Sequence, residues 1–236
     1  MLAHEKPFWR EKVFGFISAA AILYAVLTLT AMLFYPGGTL SDPTTHGYSF
    51  FKNFFSDLGV LHTTSGAANY VSAALFFPAM TLAGFALILF SLAFPQFFTN
   101  RRKGYIRSAV GSISGTMAGI CFVGVALTPA DVLLNAHLQF SIWAFRLFLV
   151  AVLFWGVAVF RHGQFPKLYG WIYLGFAALL LGYVFLMRLG PSPKDTVLGT
   201  MIQATGQKII SYASLACVLI QAQGAKALNK SDSSHK

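Results

Sequence analysis

The side chains best suited to chemistry are few, and they fall in or beside the links between long apolar runs. Asp57, Asp131 and His137 form one set. A carboxylate can orient a histidine that titrates near neutrality, and such a pair can move a proton during hydrolysis or group transfer. His62 and His137 with these acids make a mixture that zinc or iron accepts, but their spacing matches no metal-ligand pattern. No metal or other cofactor is therefore expected. No G-x-S-x-G, H-E-x-x-H, phosphate-loop or dinucleotide fingerprint occurs.

A second set is suited to binding. Arg146 and Lys208 lie inside apolar runs, where a charge costs about 2.5–3.5 kcal/mol even on the lenient insertion scale and needs a partner or water. Asp57 and Asp131 are the natural partners for Arg146, while Lys208 is deeper and harder to reach. Gln203, Gln207, Ser211 and Ser214 follow one face of the last run, with Gln221 further along it. Together with Ser49 and Asn53 they outline a polar pocket floored by Arg146.

The elements that must position these groups are membrane helices. The chain has 236 residues, 56% hydrophobic and only 10% charged, against about a quarter charged in soluble domains. Runs of about 20 apolar residues suffice to cross the hydrocarbon core. Six qualify: 13–35, 70–94, 108–128, 138–160, 168–189 and 197–221. The expected fold class is thus an all-α integral membrane protein, a six-transmembrane-helix bundle in one domain, with a flexible tail over 224–236. Lys6, Arg10 and Lys12 ahead of the first run give it a signal-peptide look. The run is long and lacks an A-x-A-like site, so it is expected to be a retained span. Pro78 should kink the second span without ending it. Cys121 and Cys217 lie in apolar runs and offer no disulfide framework.

Charge sets the orientation. Twelve Lys and Arg residues, including Arg101, Arg102, Lys103, Arg107, Arg161 and Lys167, lie on one side of the spans, against Lys52, Arg188 and Lys194 on the other. This asymmetry places both termini in the cytoplasm of a multi-pass cell-membrane protein. It also accounts for the net charge of +10 without nucleic acid as a partner. Asp42, Asp57, Asp131 and Asp195, with His46, His62 and His137, then gather on the outer side.

In the first outer link, Phe50, Phe51, Phe54, Phe55 and Leu58 alternate with Ser49, Lys52, Asn53, Ser56 and Asp57 at helical spacing. The pattern predicts a short interfacial helix over 49–58, capped by Ser49 and ended by a left-handed Gly59. Gly111, Gly115 and Gly119 form a stripe that lets two helices approach closely, favouring packing within the chain over a homo-oligomer interface.

Tyr48-Ser49, Asn53, Ser56-Asp57-Leu58-Gly59 and Asn69, followed by Gly119, Gly124, Pro129, Asp131 and His137, resemble a prokaryotic six-span family, the domain-of-unknown-function 998 family. The resemblance covers about residues 30–160, and this chain departs from it by inserting Gly37–His46. That family is distantly similar to the Frag1/DRAM/Sfk1 group, which implies a lipid-related role at the outer leaflet but no reaction. Two functions follow. The favoured one binds or organises a membrane lipid or a partner helix through the outer polar pocket of Ser49, Asn53, Asp57, Arg146, Gln203 and Lys208. The alternative is an intramembrane lipid hydrolase or transferase using Asp57, Asp131 and His137. A proton-coupled transporter is third, since no repeat is visible.

Overall fold

A computed structural model describes residues 12–99, 101–163 and 165–234, with backbone alone over 227–234. The described residues form six α-helices, α1 (Val13–Leu33), α2 (Tyr70–Ala93), α3 (Arg102–Leu127), α4 (Leu134–Phe160), α5 (Lys167–Leu189) and α6 (Val197–Ser234), and two short 3-10 helices, Phe55–Gly59 and Phe94–Phe98. Helices α1 to α5 are long and apolar enough to cross a membrane, which marks the protein as membrane-embedded. Helix α6 carries Gln203, Gln207, Lys208 and Gln221 and is not among these five. Lys6, Arg10 and Lys236 lie outside the described residues.

Each apolar helix buries one stripe and exposes another. Along α1 the buried stripe runs Phe14, Ile17, Ala21, Tyr24, Thr28 and Ala31, while Phe16, Leu23, Val26 and Leu33 are exposed. Exposed apolar surface on this scale suits a lipid surround, because a helix apolar on all sides has no stable place in water.

Neighbouring helices pack in chain order, and α6 returns to α1, closing a ring. The start of α1, the end of α2 and the α4–α5 link share one end of that ring, the basal end. Here Phe90, Phe94, Phe98, Trp155, Phe165 and Tyr173 interlock with ring centroids 5.2–6.4 Å apart. The other end is covered by the first link, residues 34–69.

Pro78 stands inside a helix that continues past it to Ala93. The glycine stripe is used internally. A Cβ at Gly111 or Gly115 would overlap Trp155 of α4, and one at Gly119 would overlap Gly84 and Ile88 of α2. Side chains at these positions would therefore separate three helices. α6 stays helical to Ser234, where a flexible tail from 224 was expected.

The expected interfacial helix over 49–58 is not formed. The segment makes one turn at 49–53, breaks at an extended Phe54, and resumes as a short 3-10 helix, Phe55–Gly59. The reason is burial on both faces: Phe55 and Leu58 enter the core, and so does Asn53, which the amphipathic pattern places on the polar side. Gly59 does not have the expected left-handed backbone. It is needed because a Cβ there would run into the ring of Phe76.

Candidate functional site

The site grows from Asn53, whose side chain is fully buried. Its amide Oδ1 accepts from the N–H of Ser49 at 2.9 Å, and its Nδ2 donates to the Gly38 carbonyl at 2.8 Å and to Asp57 Oδ2 at 3.0 Å. Gly38 belongs to the first link, in the stretch Gly37–His46. That stretch can turn back on itself because Gly37 and Gly38 adopt positive φ of 136° and 88°. This stretch thus supplies one wall of the site.

Asp57 Oδ2 also accepts from the Phe54 N–H at 2.8 Å, which fixes the start of the 3-10 turn. Burial is the main influence on this carboxyl and pushes its pKa up to about 6, against the opposing pull of its hydrogen bonds from Asn53 and Phe54 and of the Lys208 charge. Asn69 closes the far side, donating to the carbonyls of Asp57, Leu58 and Val60, and Ser72 donates to Leu58.

α6 grips this loop from below with two consecutive residues. Lys208, only 1% exposed, donates to the Asn53 carbonyl and, at 3.1 Å, to Ala204 one turn back in its own helix. The faces of Tyr48 and Phe50 complete its surround, each 5.3 Å from Nζ. Gln207 Oε1 accepts from the Phe55 N–H at 2.8 Å. Between them the ring of Phe55 is pressed into an aromatic cage of Tyr24, Phe76 and Tyr212, from α1, α2 and α6.

Beneath Phe55 lies a cavity of about 90 Å³. Tyr24, Phe76, Met80, Phe122, Phe145 and Leu215 supply much of its apolar lining, and Ser56, Ser141, Gln207, Ser211 and Ser214 its polar edge. The loop is therefore a roof over a largely apolar chamber, and the Lys208–Asn53–Asp57 cluster is the clasp that holds it.

Comparison with known proteins adds nothing to this geometry. No family model, curated protein or solved structure matches the chain.

Asn53, Asp57 and Lys208 come together as a binding-type cluster, and Ser49 joins it through its backbone. Other expectations change. Arg146 has no acidic partner among the described residues; its guanidinium lies 5.7 Å from the ring centroid of Trp143, itself half-exposed. The reason is its place on α4, one residue past the cavity-lining Phe145, which turns it away from the chamber. It does not floor the pocket, and Lys208 is the cation under the loop. Gln203 caps the end of α5, donating to the carbonyls of Leu186 and Pro191.

Asp57, Asp131 and His137 have three separate sets of partners. Asp131 accepts from the backbone N–H groups of Leu61 and His62, and the His62 ring stands 3.9 Å from it. His137 is buried and donates from Nδ1 to the Thr128 carbonyl at 2.7 Å. No group of three or more metal-ligating side chains assembles among the described residues. Gln207 is the functional residue that sequence reasoning undervalued. The signal was its position next to Lys208 on a polar stripe.

Proposed function

We propose that the protein is a six-span membrane protein, both ends cytoplasmic, that admits the end of a membrane amphiphile to its central chamber beneath the clasped loop. Helix α6 as a sixth span is supported by its place in the ring between α5 and α1. Orientation is supported by Arg101, Arg102, Lys103, Arg107, Arg161 and Lys167, all near the basal end. The observation that carries the binding function is the apolar chamber itself, walled by helices and roofed by a loop with a polar anchor. Ligand pockets combine mostly apolar lining with a few placed polar groups. The motif resemblance to a six-span family that is distantly similar to a group linked to lipid remodelling agrees with it. Binding is favoured over lipid hydrolysis because Asp57, Asp131 and His137 are committed to different backbone groups.

Native mass spectrometry after gentle extraction tests the proposal. Wild type should retain an adduct of lipid mass that Met80→Trp, which fills the chamber, loses. Absence of any adduct from both would overturn it. Cysteines at Thr44 and Arg102 test orientation separately: impermeant reagents in intact cells should reach the first and not the second.

A further inference from the structure

We propose that the loop-end half of α4 binds the head of an anionic phospholipid on its lipid-facing side, with Arg146 as the phosphate ligand and Gln139 beside it. The site lies on the outside of the bundle, apart from the chamber, and does not rest on the chamber-binding function.

The first observation is where Arg146 points. The buried stripe of α4 includes Ser141, Ala144, Phe145, Phe148 and Trp155. Arg146 falls outside it, on a face shared with the exposed Trp143, Val150 and Leu153. Such a face meets lipid, where an uncompensated charge is costly. Among the described residues no acid pairs with it.

The second is depth. Arg161 ends α4 at the basal surface, and a rise of about 1.5 Å per residue sets Arg146 about 22 Å above it. A hydrocarbon core of about 30 Å then leaves about 8 Å to the surface on the loop side. Helical side chains lean toward the N-terminus of their helix, which for α4 is the loop end. The guanidinium does so, lying 5.7 Å from the ring centroid of Trp143, three residues nearer that end. A snorkelling arginine and a lipid head drawn slightly inward can meet across the remaining distance.

The third is what stands above it. Gln139 and Asn135 are exposed and precede Arg146 by close to two and three helical turns, so the three share one face. None of these side chains has a hydrogen-bond partner among the described residues. A guanidinium fork fits two phosphate oxygens, and a carboxamide adds a donor for a further one. Asp131, at the rim just before α4, is occupied by the N–H groups of Leu61 and His62, so it offers no free carboxylate to a choline or ethanolamine ammonium. The site therefore favours a phosphodiester without an ammonium of its own, such as phosphatidylglycerol. A second copy of the chain cannot stand in for the lipid. Its seven acidic residues all lie in links or near the chain ends, none at this depth.

The test uses photoreactive phosphatidylglycerol and phosphatidylcholine, each with a diazirine just beneath the head. Both are added at trace level to phosphatidylcholine nanodiscs holding the full-length protein, and crosslinks are mapped by peptide mass spectrometry. The glycerol lipid should label segment 139–150 at least about tenfold more than the choline lipid. Arg146→Met should remove that excess, and Gln139→Leu should cut it about threefold. Labelling near Lys103 and Arg161 at the basal end should stay unchanged in both variants, which checks their folding. If a variant fails that check, the two lipids on wild type decide alone. Met80→Trp, which fills the chamber, should leave the α4 labelling in place; its loss there would put the lipid in the chamber and overturn the proposal. Equal labelling by the two lipids, or an excess that survives Arg146→Met, would overturn it too. So would competition by inorganic phosphate, the mark of a water-facing anion site, or protection of the segment in native membranes, the mark of a partner helix over Arg146.

Discussion

The two ends of the helix ring are closed by opposite means. At the basal end, Phe90, Phe94, Phe98, Trp155 and Phe165 fill the space between helices with interlocked rings. At the other end a loop is held by a buried lysine, two asparagines and an aspartate. These five rings carry no titratable group themselves, and His162 meets them from the side at Phe98 and Phe165, so this seal rests on packing. The clasp depends on hydrogen bonds to charged groups, worth about 1.5–3 kcal/mol each, and such bonds respond to protonation. A permeability barrier needs only the first kind of closure. Having the second at one end fits a compartment that opens there.

The contrast can be broken from either side, and the largest effect should come from the basal end. Trp155→Ala should lower global stability by about 3–5 kcal/mol, seen as a large fall in the thermal transition, while a cysteine at Ser56 keeps its low reactivity until melting. If that cysteine became reactive well below the transition, the two ends would not be independent.

Lys208→Met comes next. Losing both of its hydrogen bonds should cost about 3 kcal/mol and free the loop, so that proteolysis or labelling in 48–60 rises before the bundle melts. Adding Asp57→Asn should recover part of the loss, because a neutral amide leaves no uncompensated charge in a buried place. Strictly additive costs would refute an electrostatic link between the two residues.

A smaller effect is expected from pH. The folded pKa of Asp57 is raised to about 6 from 3.8, so the docked loop binds a proton more readily than the free one. Docking is weakest above about pH 6 and tightens as pH falls toward 4, with no further gain from this group below that. Loop protection measured from pH 7.5 to 5 should rise in wild type and stay flat in Asp57→Asn. Equal slopes would remove Asp57 as the titrating group.

Arg146→Met should do least, under about 1 kcal/mol in detergent, since among the described residues the guanidinium meets the Trp143 ring and no acid. A loss of several kcal/mol would mean an acidic partner in the membrane.

Helices α1 to α5 were legible because each is a long apolar run of membrane-crossing length; α6 was legible as a helix but is more polar and longer. The site was legible in its members and not in its connections. Asn53 and Asp57 stood out by type, yet helical periodicity put both on the polar face of 49–58. Nothing local reveals that Gly38 and Lys208, 15 residues before Asn53 and 155 after it, would make burial of that face favourable. Arg146 and Lys208 show the same limit. Depth along a span can be counted from sequence, but which way around the helix a side chain turns is decided by its neighbours. For α4 those are α3 and α5, and they leave Arg146 facing Trp143.

The buried lysine also bears on how the chain is made. A helix carrying Lys208 and several glutamines enters lipid poorly by itself, since each buried charge or amide weighs against partitioning. Its two strongest compensations, the Asn53 carbonyl and the Phe55 N–H, sit about 150 residues upstream, in a loop synthesised long before. An order of assembly is expected from this: the five apolar helices insert first, and the last helix then joins them and locks the loop. Translation arrested before residue 197 should leave a stable five-helix intermediate with its loop loose, waiting for the final segment to lock it.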